Sequence, residues 1–417
     1  MRAVRSMRPR SARIRASVAA AVGALLLATA ACGSGGSGGS SGSGAAAPSS
    51  SGGPSGSPIK IGNVGVYSGF ASDIAIAGSK GLQAWADGVN AAGGINGHPV
   101  EIIVKDDGGK PAKALQNVKE LVEKDHVVAL VGNHESGVDA AWASYASQHD
   151  IPVLGGTATG VSYTKDPNFF PVTGTNDTGY GGYANAGVLF HKTVVSVAYC
   201  AEVPACAQAA GLLDTHARRL GIRSVPGQAI SASATSYAAQ CQKLKDSGAE
   251  AVFAASDLAT AKRLVEQCAQ QDYRPIWIDN PQNWRDSELS APVWEGLVFA
   301  APEPLWFGDG PGTAEFLAAM TKYQPGVLLN TSTTSGWYAG KVLAKTLAGA
   351  SGDITSQTIY DGLYKLGPRF DLDGILAPVT YAKGKPAVQE ACTWYAQVKS
   401  GKLTTPFGAG RVCSKNA

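Results

Sequence analysis

The residue best placed by pattern to hold a charge is Ser136, in the turn between the apolar run Val127-Val128-Ala129-Leu130-Val131 and the helical pattern that follows it. At such a turn free backbone N–H groups and a hydroxyl can grip a carboxylate or another anion. The same hydroxyl could serve as a helix N-cap, and the two roles are compatible. Phe70, just past the first apolar run, would give a bound molecule an aromatic wall or serve as a core side chain. Reaction chemistry is not written at comparable spacing. His134-Glu135 lacks the second histidine of a zinc-protease helix, no G-x-S-x-G elbow occurs, Gly62, Gly65 and Gly69 do not make G-x-G-x-x-G, and there is no P-loop. The six histidines are scattered, which suits solvated roles in turns and at helix ends. The pattern points to a protein that binds and is not an enzyme, with no cofactor and no metal.

The second chemical signal is cysteine. Of seven, Cys32 stands apart, at the end of an apolar span from Val18 to Ala31 that follows Arg2, Arg5, Arg8, Arg10, Arg13 and Arg15. That span has signal-peptide length and is shorter than the ~20 residues of a transmembrane helix. Leu27-Ala28-Thr29-Ala30-Ala31-Cys32 resembles the lipobox of bacterial lipoproteins. The resemblance implies a signal peptide over 1–31, a thioether-linked lipid on Cys32 as mature N-terminus, and a place at the extracytoplasmic face of the cell membrane. The alternative is an ordinary secretory signal with cleavage nearby and a free Cys32. The other six cysteines, an even number in an exported chain, allow fifteen pairings. Their positions favour Cys200–Cys206 across a short loop, Cys241–Cys268 between neighbouring helices and Cys392–Cys413 tying down the C-terminus. Zinc is the competing use, but there is no C-x-x-C and no nearby histidine pair.

From Gly33 to Pro58 every residue is Gly, Ser, Ala or Pro, so nothing there can bury enough apolar area to offset its ordering entropy. Residues 32–58 therefore read as a flexible tether with an r.m.s. reach of roughly 30 Å. The leader carries six arginines and no acid, so its removal takes the formal charge from +3 to −3. No basic cluster then remains to displace counterions, and nucleic acid is excluded as a partner.

Residues 59–417 are long for one domain and suit two. The run from Ile59 to Tyr67 reads as a buried first strand, and Leu82, Trp85 and Val89 as a helix. Strands over 99–105, 127–131 and 151–154 follow, with helices marked by Leu115, Val118, Leu121 and Val122 and by 138–148. The grammar then restarts. Strands at 194–199, 224–230, 251–254 and 276–279 alternate with helices at 207–220, 237–246 and 258–271. A strand at 297–300 and helices near 313–323, 333–347 and 356–366 come next, and last a hairpin of 379–382 with 394–398, with a turn at Ser400-Gly401-Lys402. Alternation of this kind means parallel sheets covered on both faces, with ligands bound outside the carboxyl ends of the strands.

Several elements resemble the periplasmic-binding-protein type I family, in particular the lipoprotein receptors of branched-chain amino-acid-type ABC transporters. They are Ile59-Lys60-Ile61-Gly62 leading to Tyr67-Ser68-Gly69-Phe70, and Val89-Asn90-Ala91-Ala92-Gly93-Gly94-Ile95-Asn96-Gly97, the family's N-x-x-G-G-I-x-G element. Val131-Gly132 before Ser136 and Ile151-Pro152-Val153-Leu154 running into Gly155-Gly156-Thr157-Ala158-Thr159 complete the set. The resemblance spans nearly all of 59–417. It implies two doubly wound parallel-sheet lobes joined by a hinge, 59–177 with 304–372 and 178–303 with 373–417. It further implies a small-molecule ligand held between them, an ABC transporter permease as partner, and a monomer. A ligand sensor of the same fold, signalling to a membrane partner, is the alternative. By resemblance Ser136, Ala158 and Thr159 hold a ligand carboxylate. The second lobe departs from the family's pattern: Cys200-Ala201-Glu202-Val203-Pro204-Ala205-Cys206 stands where a tyrosine is expected, and no acid aligns cleanly around Asp279-Asn280-Pro281-Gln282. Asp257 and Asp279 are possible substitutes, or caps of the following helix or turn. An ammonium buried without a carboxylate would cost several kcal/mol, so a carboxylate or amide compound with an apolar or aromatic body fits the remaining pattern.

Overall fold

Strand β1 (Ile59–Gly65) buries Ile59, Ile61 and Val64, as a strand covered on both faces must. The computed structural model describes residues 54–69, 72–135, 137–202 and 204–414, so the leader, Cys32, Phe70 and Ser136 lie outside the described residues. After β1 come α1 (Ser72–Ala91), β2 (Val100–Asp106), α2 (Pro111–Glu123), β3 (Ala129–Asn133), α3 (Ala143–Gln148), β4 (Val153–Gly156), α4 (Ser162–Lys165) and β5 (Phe169–Phe170). They build a parallel sheet of order β2-β1-β3-β4-β5. Gly65 pairs with Asp106 and bridges to His134, and Asn133 pairs with Gly156. The carboxyl ends of β1 to β4 are therefore flush, and their exit loops leave from one edge.

The chain continues through α5 (Asn176–Leu189), β6 (Val194–Cys200), α6 (Ala209–Arg219), β7 (Arg223–Ser224), β8 (Gln228–Ile230), α7 (Ala238–Asp246), β9 (Ala251–Ala255), α8 (Leu258–Gln270), β10 (Ile276–Asp279) and β11 (Val298–Ala301). Next come α9 (Thr313–Tyr323), α10 (Thr331–Thr346) and α11 (Ser356–Lys365), then β12 (Val379–Thr380), β13 (Val388–Gln389), β14 (Cys392–Lys399), β15 (Lys402–Thr404) and β16 (Val412–Cys413). The second sheet has the order β15-β14-β11-β10-β9-β6-β7. It is parallel from β7 to β11 and antiparallel at β14 and β15, with β8 added to β6 and β16 to β14. Helix α5 packs on this second sheet, whereas α9 and α10 return to α1, β3 and β4. The chain thus passes between the sheets three times, through 171–175, 302–312 and 366–391.

These passages are bonded to one another. Gly174 N donates to Pro302 O at 2.8 Å, Tyr381 Oη to Pro171 O at 2.7 Å and Gln389 Nε2 to Thr173 O at 3.2 Å. The three disulfides form as the cysteine positions suggest, Cys200–Cys206, Cys241–Cys268 and Cys392–Cys413.

Three local expectations are corrected, and α5 falls where the sequence pattern predicts no element. Helix α5 carries no amphipathic signal, because Gly179, Gly181, Gly182 and Gly187 interrupt it and Tyr180, Tyr183, Ala184 and Ala186 are buried around it. The expected helix over 138–148 opens instead as a 3-10 turn at Asp139–Ala141, which brings the Asp139 carboxylate to the backbone N–H of Ser162 at 3.0 Å. The strand expected over 224–230 is split into β7 and β8 around Pro226, which cannot donate to a ladder. Finally, 379–382 does not pair with 394–398. Strand β12 pairs with β13, and β14 lies antiparallel to β11 with core side chains on both faces. Its hairpin partner is β15, across Ser400 and Gly401 with positive φ.

One contact holds distant parts of the first sheet's cover together. A Cβ added at Gly81 would strike the Thr333 carbonyl, and one at Gly336 the Gly78 carbonyl, so α1 and α10 meet backbone to backbone. Gly336→Ala should therefore destabilise the fold by about 1–3 kcal/mol, read as a lower urea midpoint with unchanged m. A variant as stable as the parent would show that the helices separate without cost.

Candidate ligand site at the strand ends

Exit loops of β1, β3 and β4 are fastened to one another before any ligand is considered. Asn63 Nδ2 donates to the carbonyls of Val131 and Gly132 at 2.8 and 2.7 Å, and Asn133 Oδ1 accepts from Val64 N at 2.9 Å. Thr157 N donates to Asn133 O at 2.8 Å. Gly156 holds φ +96 and would strike the Asn133 carbonyl with any Cβ, so only glycine lets β4 turn so tightly into the Thr157–Thr159 loop. Ala158 is buried in an apolar cluster and its carbonyl accepts from Asn176 N at 3.1 Å, which ties this loop to the first passage between the sheets. Thr159 is exposed, and its N–H donates to Thr157 O.

Around the same edge lie acids that sequence reasoning did not single out. Asp106 works against burial, yet hydrogen bonds from Ser68, Gly108, Tyr67 and Lys113 hold its carboxyl down at about 2. Glu135, immediately before Ser136, accepts from Trp142 Nε1 at 2.8 Å. Burial, reinforced by Asp107 and Asp139, pushes its carboxyl well above the usual range. His134 has one ring nitrogen, Nδ1, 2.6 Å from Gly132 O. Burial lowers its pKa to about 4, so it is a neutral packing residue between α1 and the start of α10.

On the second sheet, Asp257 caps α8, accepting from Thr260 N at 3.0 Å. Asp279 is 6% exposed, with Oδ1 bonded by Asn280 N at 2.7 Å and Oδ2 by Trp284 Nε1 at 3.1 Å. Burial pushes its pKa up to about 8. Beyond β11 stands Glu303, 2% exposed, whose Oε1 accepts from Gln282 Nε2 at 2.8 Å and whose pKa burial likewise raises to about 8. Gln282 O in turn accepts from Asn330 Nδ2 at 2.7 Å, and Asn330 caps α10. Tyr183, stacked on Phe253 with ring centres 3.7 Å apart, places its hydroxyl 3.4 Å from Asn280 Nδ2. Sequence pattern missed Glu303 and Tyr183. The signal for Glu303 was an acid directly after an apolar strand, enclosed by Pro302 and Pro304; Tyr183 sits on the helix without a period.

Among the described residues every cysteine is in a disulfide, and no group of three His, Cys, Asp or Glu side chains is arranged to hold a metal ion. No helix there is long and apolar enough to cross a membrane. A cavity of about 570 Å³, lined by Lys192, Glu250, Tyr273, Arg274, Trp277 and Val293 among others, lies at the amino-terminal ends of β9 to β11, away from these carboxyl-end loops. The carboxyl ends of the first sheet thus gather the Thr157–Thr159 loop beside Glu135, and those of the second gather Asp279 and Glu303.

A family model described as "Periplasmic binding protein" matches residues 58–402. An amino acid binding protein of Pseudomonas aeruginosa is 26% identical over 222 residues, 51% of this chain and 58% of that protein, so the match spans little more than half of that relative's length. The Leu/Ile/Val-binding protein homolog 1 of Brucella suis is 24% identical over 316 residues, 74% of this chain and 82% of that one. Among solved structures, the branched-chain amino acid transporter substrate-binding protein LivJ of Streptococcus pneumoniae, in complex with isoleucine, superposes with TM-score 0.67 at 20% identity, covering 86% of this chain and 100% of its own. An ABC transporter solute-binding protein of R. palustris in complex with benzoate gives TM-score 0.68 at 16% identity, covering 86% and 98%.

The two raised acids make stability pH-dependent. The folded chain keeps protons on Asp279 and Glu303 up to about pH 8, whereas the unfolded chain releases them near the ordinary values of 3.8 and 4.5. Their contribution is fully present at acid pH and is lost as pH rises toward about 8. Urea midpoints should show this loss, and Glu303→Gln should make it shallower. An unchanged slope in the variant would show that Glu303 titrates alike in both states.

Proposed function

This chain belongs to the periplasmic binding protein family, and from that premise we propose that it captures a small carboxylate- or amide-bearing solute between two lobes and delivers it to an ABC transporter. The lobes are 59–177 with 304–372 and 178–303 with 373–417. Ser136, Ala158 and Thr159 hold the solute's carboxylate through hydroxyl and main-chain groups, Phe70 walls its body, and Asp257 and Asp279 face it from the second lobe. The observation that carries the reading is the bond from Asn176 N to Ala158 O, which couples the anion-holding loop to a passage between the sheets. Contact with a carboxylate at that loop then has a direct mechanical route to lobe closure, and the closed form is favoured by its greater affinity for ligand. Isoleucine and benzoate, bound by two proteins of the same fold, share only the carboxylate, which supports that group as the constant element.

Capture rather than turnover is supported by membership of a family of binding proteins. The solute is to be identified by native mass spectrometry of protein purified from its source. Against that solute, Ser136→Leu or Thr159→Leu should weaken binding about tenfold or more, the worth of a charge-assisted hydrogen bond. Unchanged calorimetric affinity in both would remove the site from these strand ends.

We further propose that Cys32 carries the lipid that holds the protein at the extracytoplasmic face of the membrane, on the tether over 32–58. Cys32→Ala should then move the protein from the membrane pellet to the supernatant on fractionation. Retention in the pellet would count against the anchor.

A further inference from the structure

The first sheet ends at β2, which pairs with β1 on one side and with no strand on the other. An open edge of this kind presents unpaired N–H and C=O groups to any chain that can line up with them. Successive residues of a strand turn their backbone groups to opposite sides, so parity decides which ones face outward. Ile59 N donates to Pro99 O and Asp107 N to Gly65 O, so the odd-numbered residues of this stretch spend their backbone groups on β1. Val100, Ile102, Val104 and Asp106 turn theirs away from it.

Both ends of that outward row are closed by asparagine. Asn90 Nδ2 donates to Val100 O at 2.9 Å and Val100 N to Asn90 Oδ1 at 2.7 Å, while Asn117 Nδ2 donates to Asp106 O at 2.9 Å. Ile102 and Val104 remain between the caps, and among the described residues nothing bonds to their outward N–H and C=O groups. The side chains mark the same stretch. Val104 turns a large apolar side chain to solvent, at 45% exposure, and Glu101 is exposed. Lys105 is held by Glu120 at 3.5 Å and Asp125 at 3.2 Å, which leaves its ammonium a third donor.

We propose that two copies of this chain pair antiparallel through β2, about a two-fold axis at Ile103, and join their five-stranded sheets into one. The open groups set the register. An axis at Ile103 places Ile102 of each copy opposite Val104 of the other, and residues so opposed exchange both of their N–H···O=C bonds. These bonds fill the row between the asparagine caps. An axis at Ile102 or Val104 would instead run Val104 into the capped Val100, or Ile102 into the capped Asp106. The axis at Ile103 also sets Glu101 opposite Lys105 of the second copy on one face and covers Val104 with Ile102 on the other, pairs that favour association. One strand pair buries less area than a standard interface, so the dimer is weak and concentration-dependent. It departs from the monomer that the family resemblance implies and is independent of which solute is captured. Because the edge lies at the flank of the sheet, pairing leaves the carboxyl-end loops uncovered.

The experiment is sedimentation velocity of the purified full chain over a wide concentration range, which should show reversible exchange between monomer and dimer. Val104→Pro removes an outward N–H from each copy and no bond to β1, so it should weaken the dimer about tenfold or more. Glu101→Lys leaves the backbone unaltered and should weaken it more at low salt than at high salt. Register is read separately by adding an oxidant, with the parent treated alongside as the baseline. Ile103→Cys meets its own copy across the axis at about 4.5 Å between Cα atoms and should cross-link into a covalent dimer, whereas Val104→Cys faces Ile102 and should not. Should Val104→Pro fail to fold, the two cysteine variants decide. A dimer equally strong in a folded Val104→Pro, or cross-linking at position 104 as fast as at 103, would overturn the inference. A parent that stays monomeric at every concentration would overturn it too, and leave the edge to an extended segment of another protein.

Discussion

Contact of α1 with α10 without intervening side chains is the constraint on which the rest of the molecule depends. Gly78 and Gly81 face Thr333 and Gly336 at backbone distance, joining segments that lie some 250 residues apart in the chain. That closeness fixes where α10 begins, and the beginning of α10 locates nearly everything at the strand ends. Asn330 caps the helix and also holds the Gln282 carbonyl, Thr334 holds the Pro304 carbonyl and Ser335 the Gly156 carbonyl. Three separate exit loops, from β4, β10 and β11, are thereby referred to one helix terminus. A bulkier helix pair would move all three together.

Covalent restraint is distributed differently. Cys241–Cys268 joins α7 to α8, Cys392–Cys413 joins β14 to β16 and Cys200–Cys206 closes the loop after β6, so every disulfide lies among elements of the second sheet. The passages between the sheets carry no disulfide among the described residues and are held by hydrogen bonds, by the Arg369–Glu390 and Arg411–Asp371 ion pairs and by apolar packing. The Asp73–Arg285 ion pair at 3.2 Å, between the start of α1 and the segment after β10, is exposed and contributes little to stability. Crossings without a covalent strap are what a hinge requires.

The first sheet was legible because each of its strands is a short apolar run with a glycine or asparagine stop, and its helices show a buried face. The cysteine pairs were legible because their spacing matched neighbouring elements. Helix α5 was not, since a helix packed on every side has no polar face to set a period, and glycine lowers its propensity further. Strand β14 was taken for a hairpin arm because alternation alone does not tell one covered face from two. Residue type and spacing left Asp257 and Asp279 open between ligand contact and cap; Asp257 caps α8 through Oδ1, and both Asp279 oxygens are bonded within its own loop. Glu303 was passed over for a different reason: Pro302-Glu303-Pro304 follows β11 but belongs to no helix or strand, and its burial depends on α10, which starts at Thr331 beside it.

Buried acids at the carboxyl ends of both sheets share a consequence that spacing could not suggest. Glu135 on the first sheet, and Asp279 and Glu303 on the second, are driven toward the neutral form by burial. A fixed cation beside each would have stabilised the charged form. A neutral acid instead is buried at moderate cost, because it carries no unpaired charge. Neutral, each can also donate its proton to a neighbouring oxygen, a response an ionised carboxylate lacks.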